Sequence, residues 1–572
     1  MTSENISEYP EAYDAIVIGT GISGGWAAKE LCENGLKTLV LERGPNVRHI
    51  DDYPTMHSES WDLKYRGKVD PEKIKGHSIH KRSGFVNAES GHWFVNYEDH
   101  PYNEPKRFDW IRGYHVGGRS IMWGRQSYRW SDMDFEANKV DGHGVDWPIR
   151  YNDISPWYDK VEAFIGVSGE NRGLAHLPDG KLSAPMELNC VEKDLQKNIE
   201  ENFDDDRLLM IGRVANKTGD AVHEGRSNCQ YRNRCIRGCP FGGYFSSNSS
   251  TLPAAERTGN MHLRANSIAY EIVYDDTTGL ASGVKIIDAE THEKIFFKAS
   301  IIFNCASTIA STSILLQSKS KRFPNGMGND SGELGHNLMD HHYGVGASAD
   351  VEGYDDKYYK GRRPNGFYIP RFQNLGNEKT AAKDYVRGFG YQGGASRTGW
   401  ERAVAELSFG KTLKEELLKP GHWRIGMTGF GECLPYHENK MSLNYDILDK
   451  WGLPTLDLDA EFKENELKMQ QDMMNQAVAI FKAAGYKNVK GRIGTPIPGD
   501  CIHEMGTARM GHDPKTSVLN KHNQIHAVPN VYVTDGACMT SSACQNPSLT
   551  YMALTARAAN HAADIFKKNK TN

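Results

Sequence analysis

The chain has 572 residues, 38% of them hydrophobic and 25% charged, with 68 Lys and Arg against 73 Asp and Glu for a formal net charge of −5. That length exceeds what one hydrophobic core supports, so two large lobes with room for a cofactor between them are expected. The near-balanced, interspersed charge leaves no basic stripe to track phosphates, which argues against nucleic acid as a partner, and no run approaches the roughly 18 apolar residues of a membrane span.

The first residues, from Met1 to Glu8, lack a charged-then-apolar export pattern, so the chain is expected to carry no address of its own. The opening unit then reads strand, turn, helix, strand. Apolar residues 15–18 run into Gly19-x-Gly21-x-x-Gly24, a helix over about 24–34 and a second strand over 37–41 that ends on Glu42. Glycines at that turn let the backbone approach a pyrophosphate, and the helix N-terminus supplies amide donors and partial positive charge. Glu42, 18 residues beyond Gly24, is placed to accept hydrogen bonds from an adenosine ribose. The motif alone does not choose between a nicotinamide and a flavin.

Residues 51–112 show no sustained period and carry many charges and aromatics, which suits excursions covering a cofactor better than a separate domain. Ser155 reads as the N-cap, and Pro156 as the first residue, of a helix running through Val161 and Phe164. Between about 260 and 305 the pattern turns to short β-rich runs, 269–274 and 283–288, joined by a turn over 275–279; this reads as a meander inserted in the nucleotide lobe. From about 345 to 460, Gly, Tyr, Trp and alternating segments such as 424–430 predict a sheet-based second lobe. A long helix over 465–484 is expected to place Leu467, Met474, Val478 and Phe481 on one side, with Gly485 past its end. A final helix covers 549–567. The predicted fold is α/β: a Rossmann-like cofactor lobe (1–150, 226–345 and 501–572) interleaved with a substrate lobe (151–225 and 346–500) built on a mainly antiparallel sheet plus helices.

Ten cysteines are present. Cys32, Cys190, Cys305, Cys433, Cys501, Cys538 and Cys544 have no ligand spacing and read as core thiols. Three others form Cys229-x5-Cys235-x3-Cys239-Pro240, a pattern that suits iron–sulfur ligation, three thiolates pointing to a [3Fe-4S] cluster. Arg226, Arg232, Arg234 and Arg237 flank the triplet and would offset the charge of thiolates and sulfide. A disulfide with one spare thiol, or zinc with an outside ligand, remains open.

The segment Arg112-Gly-Tyr-His-Val-Gly-Gly118-Arg-Ser120-Ile-Met122-Trp123-Gly124 resembles the glycine segment that lies along the flavin in the glucose–methanol–choline oxidoreductase family. Three further blocks extend the resemblance over nearly the whole chain: residues 301–307, Gly335-His-Asn-Leu-Met-Asp340-His341, and Val533-Thr-Asp535-Gly536 ahead of Asn546-Pro547. The resemblance implies FAD, held by Gly19, Gly21, Gly24, Glu42, Arg43, Gly117, Gly118, Ser120, Met122, Ile268, Ala306, Ser307, Asp535, Gly536, Pro547 and Thr550. Some sugar oxidases of the family bond the flavin covalently through a His where this chain has Met122, so FAD is expected to be noncovalent.

The same resemblance assigns catalysis to His503, in His503-Glu-Met-Gly-Thr507, and Asn546, in Asn546-Pro-Ser-Leu-Thr550. Oxidising an alcohol removes a hydroxyl proton and a hydride from one carbon. A near-neutral imidazole takes the proton while flavin N5 takes the hydride, and Asn546 orients the hydroxyl without competing for the proton. His115, His341, His342 and His561 are given no such role. Within the family the chain resembles the large subunits of bacterial glucoside 3-dehydrogenase and gluconate 2-dehydrogenase complexes. That implies a pyranose or pyranoside substrate, oxidation at C3, a small subunit carrying the export signal, periplasmic co-export (with the cytoplasm as the alternative), and a cytochrome or other one-electron acceptor fed through the cluster. A sugar oxidase using O2, a lyase on the same flavin scaffold and a non-enzymatic flavin-bearing scaffold are the rivals. Tyr391, Trp400 and Trp423 could stack on sugars but read as core or lid packing.

Overall fold

The structure, a computed structural model, describes residues 6–59, 62–64, 79, 82, 86–204, 207–219, 225–357, 364–382, 384–399 and 409–571. Its first sheet has nine strands among them. At the centre Tyr13–Ile18 pairs in parallel with Lys294–Asn304 on one side and Thr38–Leu41 on the other, and Met261–Arg264 and Val528–Val533 extend the parallel run. These strands are buried on both faces, which is why 15–18 and 38–41 read as unbroken apolar runs instead of alternating. The helix Ile22–Glu33 returns over one face and packs against Ser548–Thr571, which in turn packs on Tyr151–Ile165.

The strand Lys294–Asn304 changes partners along its length. Its first half is antiparallel to Leu280–Asp288, itself paired with Ser267–Asp275, and its second half is parallel to Tyr13–Ile18. The meander read from the sequence is therefore a lateral extension of the nucleotide sheet.

The second sheet is antiparallel throughout, in the order Lys487–Ile493, His342–Val351, Trp423–Gly431, Phe389–Arg397, Phe367–Ile369, Met210–Ile211. Alternation divides its faces. Phe389, Tyr391, Ile425 and Met427 join a core closed by the helices Glu464–Ala483 and Cys190–Asn202, whereas Gln392 and Phe430 face the first sheet across a cavity. Tyr391 and Trp423 are thus core, as read from sequence; Trp400 lies outside the described residues.

Two helices differ from expectation. The helix containing Pro156 starts at Tyr151, not at Ser155: the Asp153 carboxylate reaches back to the Arg150 N–H at 2.8 Å and caps the first turn, so Pro156 sits inside the helix and deprives the Asn152 carbonyl of its donor. In Glu464–Ala483 the buried face is Met469, Met473, Ala477, Ile480 and Phe481, while Leu467 is 49% exposed and Met474 and Val478 only border the core. The buried stripe also carries Glu466 and Gln470, which a hydrophobicity pattern cannot assign to the inside; Glu466 is buried because it accepts from Leu434 N and Tyr436 Oη. Met473→Ala is accordingly expected to cost about 2–5 kcal/mol and Leu467→Ala within about 0.5 kcal/mol, read as shifts in denaturant midpoint.

Candidate active site

A cavity of about 510 Å³ lies between the two sheets and runs from the first glycine turn to the face of the second sheet that carries Gln392 and Phe430. The described residues of the 51–112 excursion, among them Asn87, Phe94, His100 and Trp110, form part of its wall.

At the nucleotide end the glycines divide the work. Gly19 has φ 95°, and a Cβ there would lie 2.5 Å from the Cys305 carbonyl oxygen; a Cβ on Gly24 would lie 1.9 Å from the Gly19 oxygen, so Gly24 is what lets the helix close on the strand. Gly21 opens onto free space, and a Cβ on Gly118, at φ 49°, would come 3.5 Å from the Gly21 Cα. Two glycine turns thus face each other and leave a slot that side chains would fill. Thr20, not singled out from the sequence, ties them together: its hydroxyl accepts from Gly117 N at 2.9 Å and donates to Glu42, whose other oxygen accepts from Gly44 N at 3.1 Å. Burial raises the Glu42 pKa above the usual carboxylate range. Arg43 is paired with Asp449 at 2.9 Å and packs on Tyr114 and Trp451. Arg43 Nε and Arg112 Nε and Nη1 are buried without partners among the described residues, and both side chains line the cavity. A slot bounded by bare backbone, an acid at the strand end and orphaned guanidinium donors fits an elongated dinucleotide.

Ser120, Met122, Ala306, Ser307, Asp535 and Gly536 also line this cavity. Burial pushes the Asp535 carboxyl up to about 6. Gly24 and Gly117 act through backbone packing instead. Ile268, expected to touch the cofactor, is turned away into a small cluster with Tyr270 and Ile287, because strand alternation presents Ser267 and Ala269 instead. Pro547 and Thr550 likewise lie off the lining, and the Thr550 hydroxyl pairs with Tyr158 at 2.8 Å.

At the other end the structure brings His503 and Asn546 together, Asn546 Nδ2 lying 3.4 Å from His503 Nε2 although 43 residues separate them. Gln392, from the second sheet, donates to Asn546 Oδ1 at 2.5 Å. His503 is aimed by a strained loop. Ile502 before it has φ 63°, a left-handed conformation costly for a β-branched residue, and the buried Asp340 carboxylate accepts from the backbone N–H groups of His341, Gly499, Cys501 and His503. Next door, Arg119 donates to Glu504 at 3.0 Å and to Ser307 Oγ at 2.7 Å.

Two residues read from sequence as bystanders belong to this site. His341 Nδ1 lies 2.8 Å and Cys501 Sγ 3.3 Å from His503 Nδ1. Their sequence signal is the Asp340-His341 block and the position of Cys501 two residues before His503; neither gives contact. Burial, then His341 and Arg119, hold the His503 pKa well below 6.5, so the ring is neutral at neutral pH. The sign follows directly: the base form persists above the depressed pKa and is lost only as pH falls through it. Substrate-driven flavin bleaching is therefore expected to hold one rate from about pH 8 to 6.5 and to decline only on further acidification; a midpoint at or above 6.5 in rapid-mixing experiments would contradict this.

The three clustered cysteines, Cys229, Cys235 and Cys239, are free thiols, as are the other seven, so no disulfide forms among them. All three line a second, smaller cavity with Asn216, Phe241 and Tyr244. Among the described residues the group whose ligand atoms lie within 4.8 Å of one another is His341, Cys501 and His503, so the triplet sulfurs are spread more widely than one zinc ion would hold them. The flanking arginines are largely occupied: Arg234 pairs with Glu59 and Arg237 with Glu89, Arg232 donates to the Met56 carbonyl, and Arg226 donates to backbone carbonyls, its pKa pushed down to about 10 by burial. The expected halo of free positive charge is therefore reduced.

A dinucleotide slot that opens onto a neutral His beside an amide suits an oxidoreductase acting on CH–OH groups. The chain matches the GMC oxidoreductase family over residues 13–343 and again over 435–555, and it belongs to that family. Membership implies FAD, bound by the Rossmann-like N-terminal part. It is 28% identical to a 2-methyl-1,2-propanediol dehydrogenase of Mycolicibacterium austroafricanum, over 97% of this chain and 95% of that one. It is 25% identical to the fructose dehydrogenase large subunit of Gluconobacter japonicus, over 98% of each. Pyridoxine 4-oxidase from Mesorbium loti superposes with a TM-score of 0.58 at 16% identity, over 96% of this chain and 98% of that one, a likeness of fold. Among the described residues no helix is long and apolar enough to cross a membrane.

Proposed function

We propose that this chain is the flavoprotein of a sugar dehydrogenase that oxidises one ring hydroxyl of a pyranose or pyranoside, C3 in preference, and passes electrons to a one-electron acceptor through a [3Fe-4S] cluster. The observation that carries alcohol oxidation is the His503–Asn546 pair, which lines the cavity that also holds the dinucleotide slot. Bound FAD, noncovalent because Met122 offers no nucleophilic nitrogen for attachment, supplies the hydride acceptor. The chain supplies the rest. His503 takes the hydroxyl proton on its cavity-facing nitrogen. Asn546, its oxygen occupied by Gln392, turns its NH2 group toward the hydroxyl and fixes it within reach of that nitrogen. The loop 499–503, held by Asp340, keeps both from drifting.

The cluster rests on separate support. Cys229, Cys235 and Cys239 line one cavity, their sulfurs are too far apart for a single ion, and the turn that carries them abuts the main cavity: Ile236, between two of the cysteines, lines it, Trp93 Nε1 donates to the Ile236 carbonyl at 3.0 Å, and the Tyr244 hydroxyl donates to the Ile121 carbonyl. A turn shared by the two cavities through Ile236 suits single-electron passage out of the flavin, which favours a dehydrogenase over an oxidase. The names of the relatives divide between a small diol and a sugar; the relative aligned over 98% of the chain is named as the large subunit of a fructose dehydrogenase, which supports a smaller partner subunit. A cytochrome acceptor and co-export to the periplasm complete the proposal. An anaerobic absorbance spectrum before and after a glucoside, with iron and acid-labile sulfide assayed, tests the reading. Flavin bands that bleach over a broad brown background with iron present support it; bleaching without iron removes the cluster, keeps the sugar oxidoreductase and moves oxidase ahead of dehydrogenase, and no bleaching with any sugar removes the enzyme reading.

A further inference from the structure

We propose that His341 is a positioning residue that sets the tautomer of His503, so that His503 Nε2 is the bare nitrogen facing the substrate. The inference rests on the reading of His503 as the base, and it follows from where protons can sit along a short chain of groups. His341 Nε2 lies against the Ala543 carbonyl oxygen, and a carbonyl only accepts, so the hydrogen on His341 is at Nε2. His341 is fully buried, with no carboxylate on either ring nitrogen, and burial depresses its pKa to about 4; the ring is neutral and its Nδ1 carries a lone pair. That lone pair sits 2.8 Å from His503 Nδ1. Two lone pairs cannot share that distance, so His503 Nδ1 carries the hydrogen and donates it to His341.

Cys501 Sγ, 3.3 Å from the same nitrogen, is the competing partner. Its thiol is neutral, since burial raises its pKa well above 9.0, and a neutral thiol is a far weaker acceptor than imidazole. His503 Nε2 is left without a hydrogen and points at Asn546 Nδ2, 3.4 Å away. Both residues line the cavity, so a substrate hydroxyl seated against the pair can receive from Asn546 and donate to His503. When His503 takes that proton it becomes an imidazolium, and its Nδ1–H bond to His341 becomes charge-assisted. The hydroxyl O–H bond breaks and the Nε2–H bond forms; His341 gains and loses nothing. An Asp or Glu in its place would do the same job while holding a charge; a neutral histidine does so without raising the pKa of the base.

The test uses the FAD-loaded protein, two variants at His341 and His503→Ala as the reference for loss of the base. His341→Leu removes the acceptor, and His341→Asn places an amide oxygen near the position of Nδ1. His341→Leu is expected to lower the limiting rate of sugar-driven flavin bleaching roughly 10²-fold, the scale of losing a correctly presented general base, with substrate half-saturation and FAD content unchanged. His341→Asn is expected to recover to within roughly tenfold of the parent rate. A downfield ring N–H proton resonance, absent in His503→Ala, should persist in His341→Asn and vanish in His341→Leu. Bleaching at the parent rate in His341→Leu, or equal slowness of both variants with full FAD, overturns the proposal. Should His341→Leu fail to fold, the resonance in the parent protein and its loss in His503→Ala decide the matter alone. If His503→Ala itself bleaches normally, it is the assignment of the base that fails; if His503→Ala is slow and His341→Leu is fast, only the role of His341 fails.

Discussion

Replacing His503 by Ala should leave FAD bound and slow substrate-driven flavin bleaching by about 10²-fold or more, the usual consequence of removing a positioned general base. Binding should survive because the dinucleotide slot is built elsewhere, from Gly19, Gly21, Gly118, Glu42 and the arginines. The fold should survive because the loop is held by Asp340 through the backbone N–H of residue 503, which Ala retains. Rapid mixing of the variant with a glucoside under anaerobic conditions measures the effect, and an unchanged bleaching rate would show that another group takes the proton. The size of the loss has a structural reason. A neutral imidazole in a buried site accepts a proton without first shedding one to water, and His503 is the titratable partner of Asn546, whose oxygen is already engaged with Gln392.

The second large effect concerns electrons instead of protons. Cys235→Ser should leave bleaching by sugar within a fewfold of the parent rate while reduction of a one-electron acceptor is nearly abolished and iron content falls. Cys235 begins the short turn Cys235–Arg237, and its neighbour Ile236 forms part of the main cavity wall, so the substitution removes the sulfur without touching the His503 end. Serine is close in volume and its hydroxyl is a poor ligand for iron. Steady-state assays with a one-electron dye, beside rapid-mixing traces, separate the two steps. Equal loss of both would assign the triplet a structural role, and loss of neither would leave it without function in turnover.

The two effects rest on differently legible parts of the chain. The glycine turn, Glu42, the His503 block and Asn546 are local strings, and their chemistry constrains spacing: a turn that admits a pyrophosphate needs glycine at set offsets, and Gly19, Gly21 and Gly24 turn out to have three distinct steric duties. The meander and the second sheet were legible because period-2 alternation and turn residues are local too. The helix expected over 465–484 is present as Glu464–Ala483, but periodicity misassigns its buried face: Glu466 is carried inside by Leu434 and Tyr436, and Gln470 is buried although its side-chain nitrogen has no partner among the described residues. Ile268 was assigned to the cofactor when only its neighbours face it; one residue of register reverses a strand's sides.

What the sequence determined by itself is therefore the class of chemistry: a parallel nucleotide sheet, a flavin-type glycine segment and a His and an Asn in fixed motifs, all of which depend on residues near one another in the chain. What tertiary structure decided is how those groups are presented. The pairing of His341 with His503 spans 162 residues and that of Gln392 with Asn546 spans 154, and the approach of the cysteine turn to the cofactor cavity depends on Trp93 and Tyr244 reaching across from separate segments. The physical reason is that a hydrogen bond or a shifted pKa is set by distance and burial in three dimensions, and no periodicity along the chain encodes either.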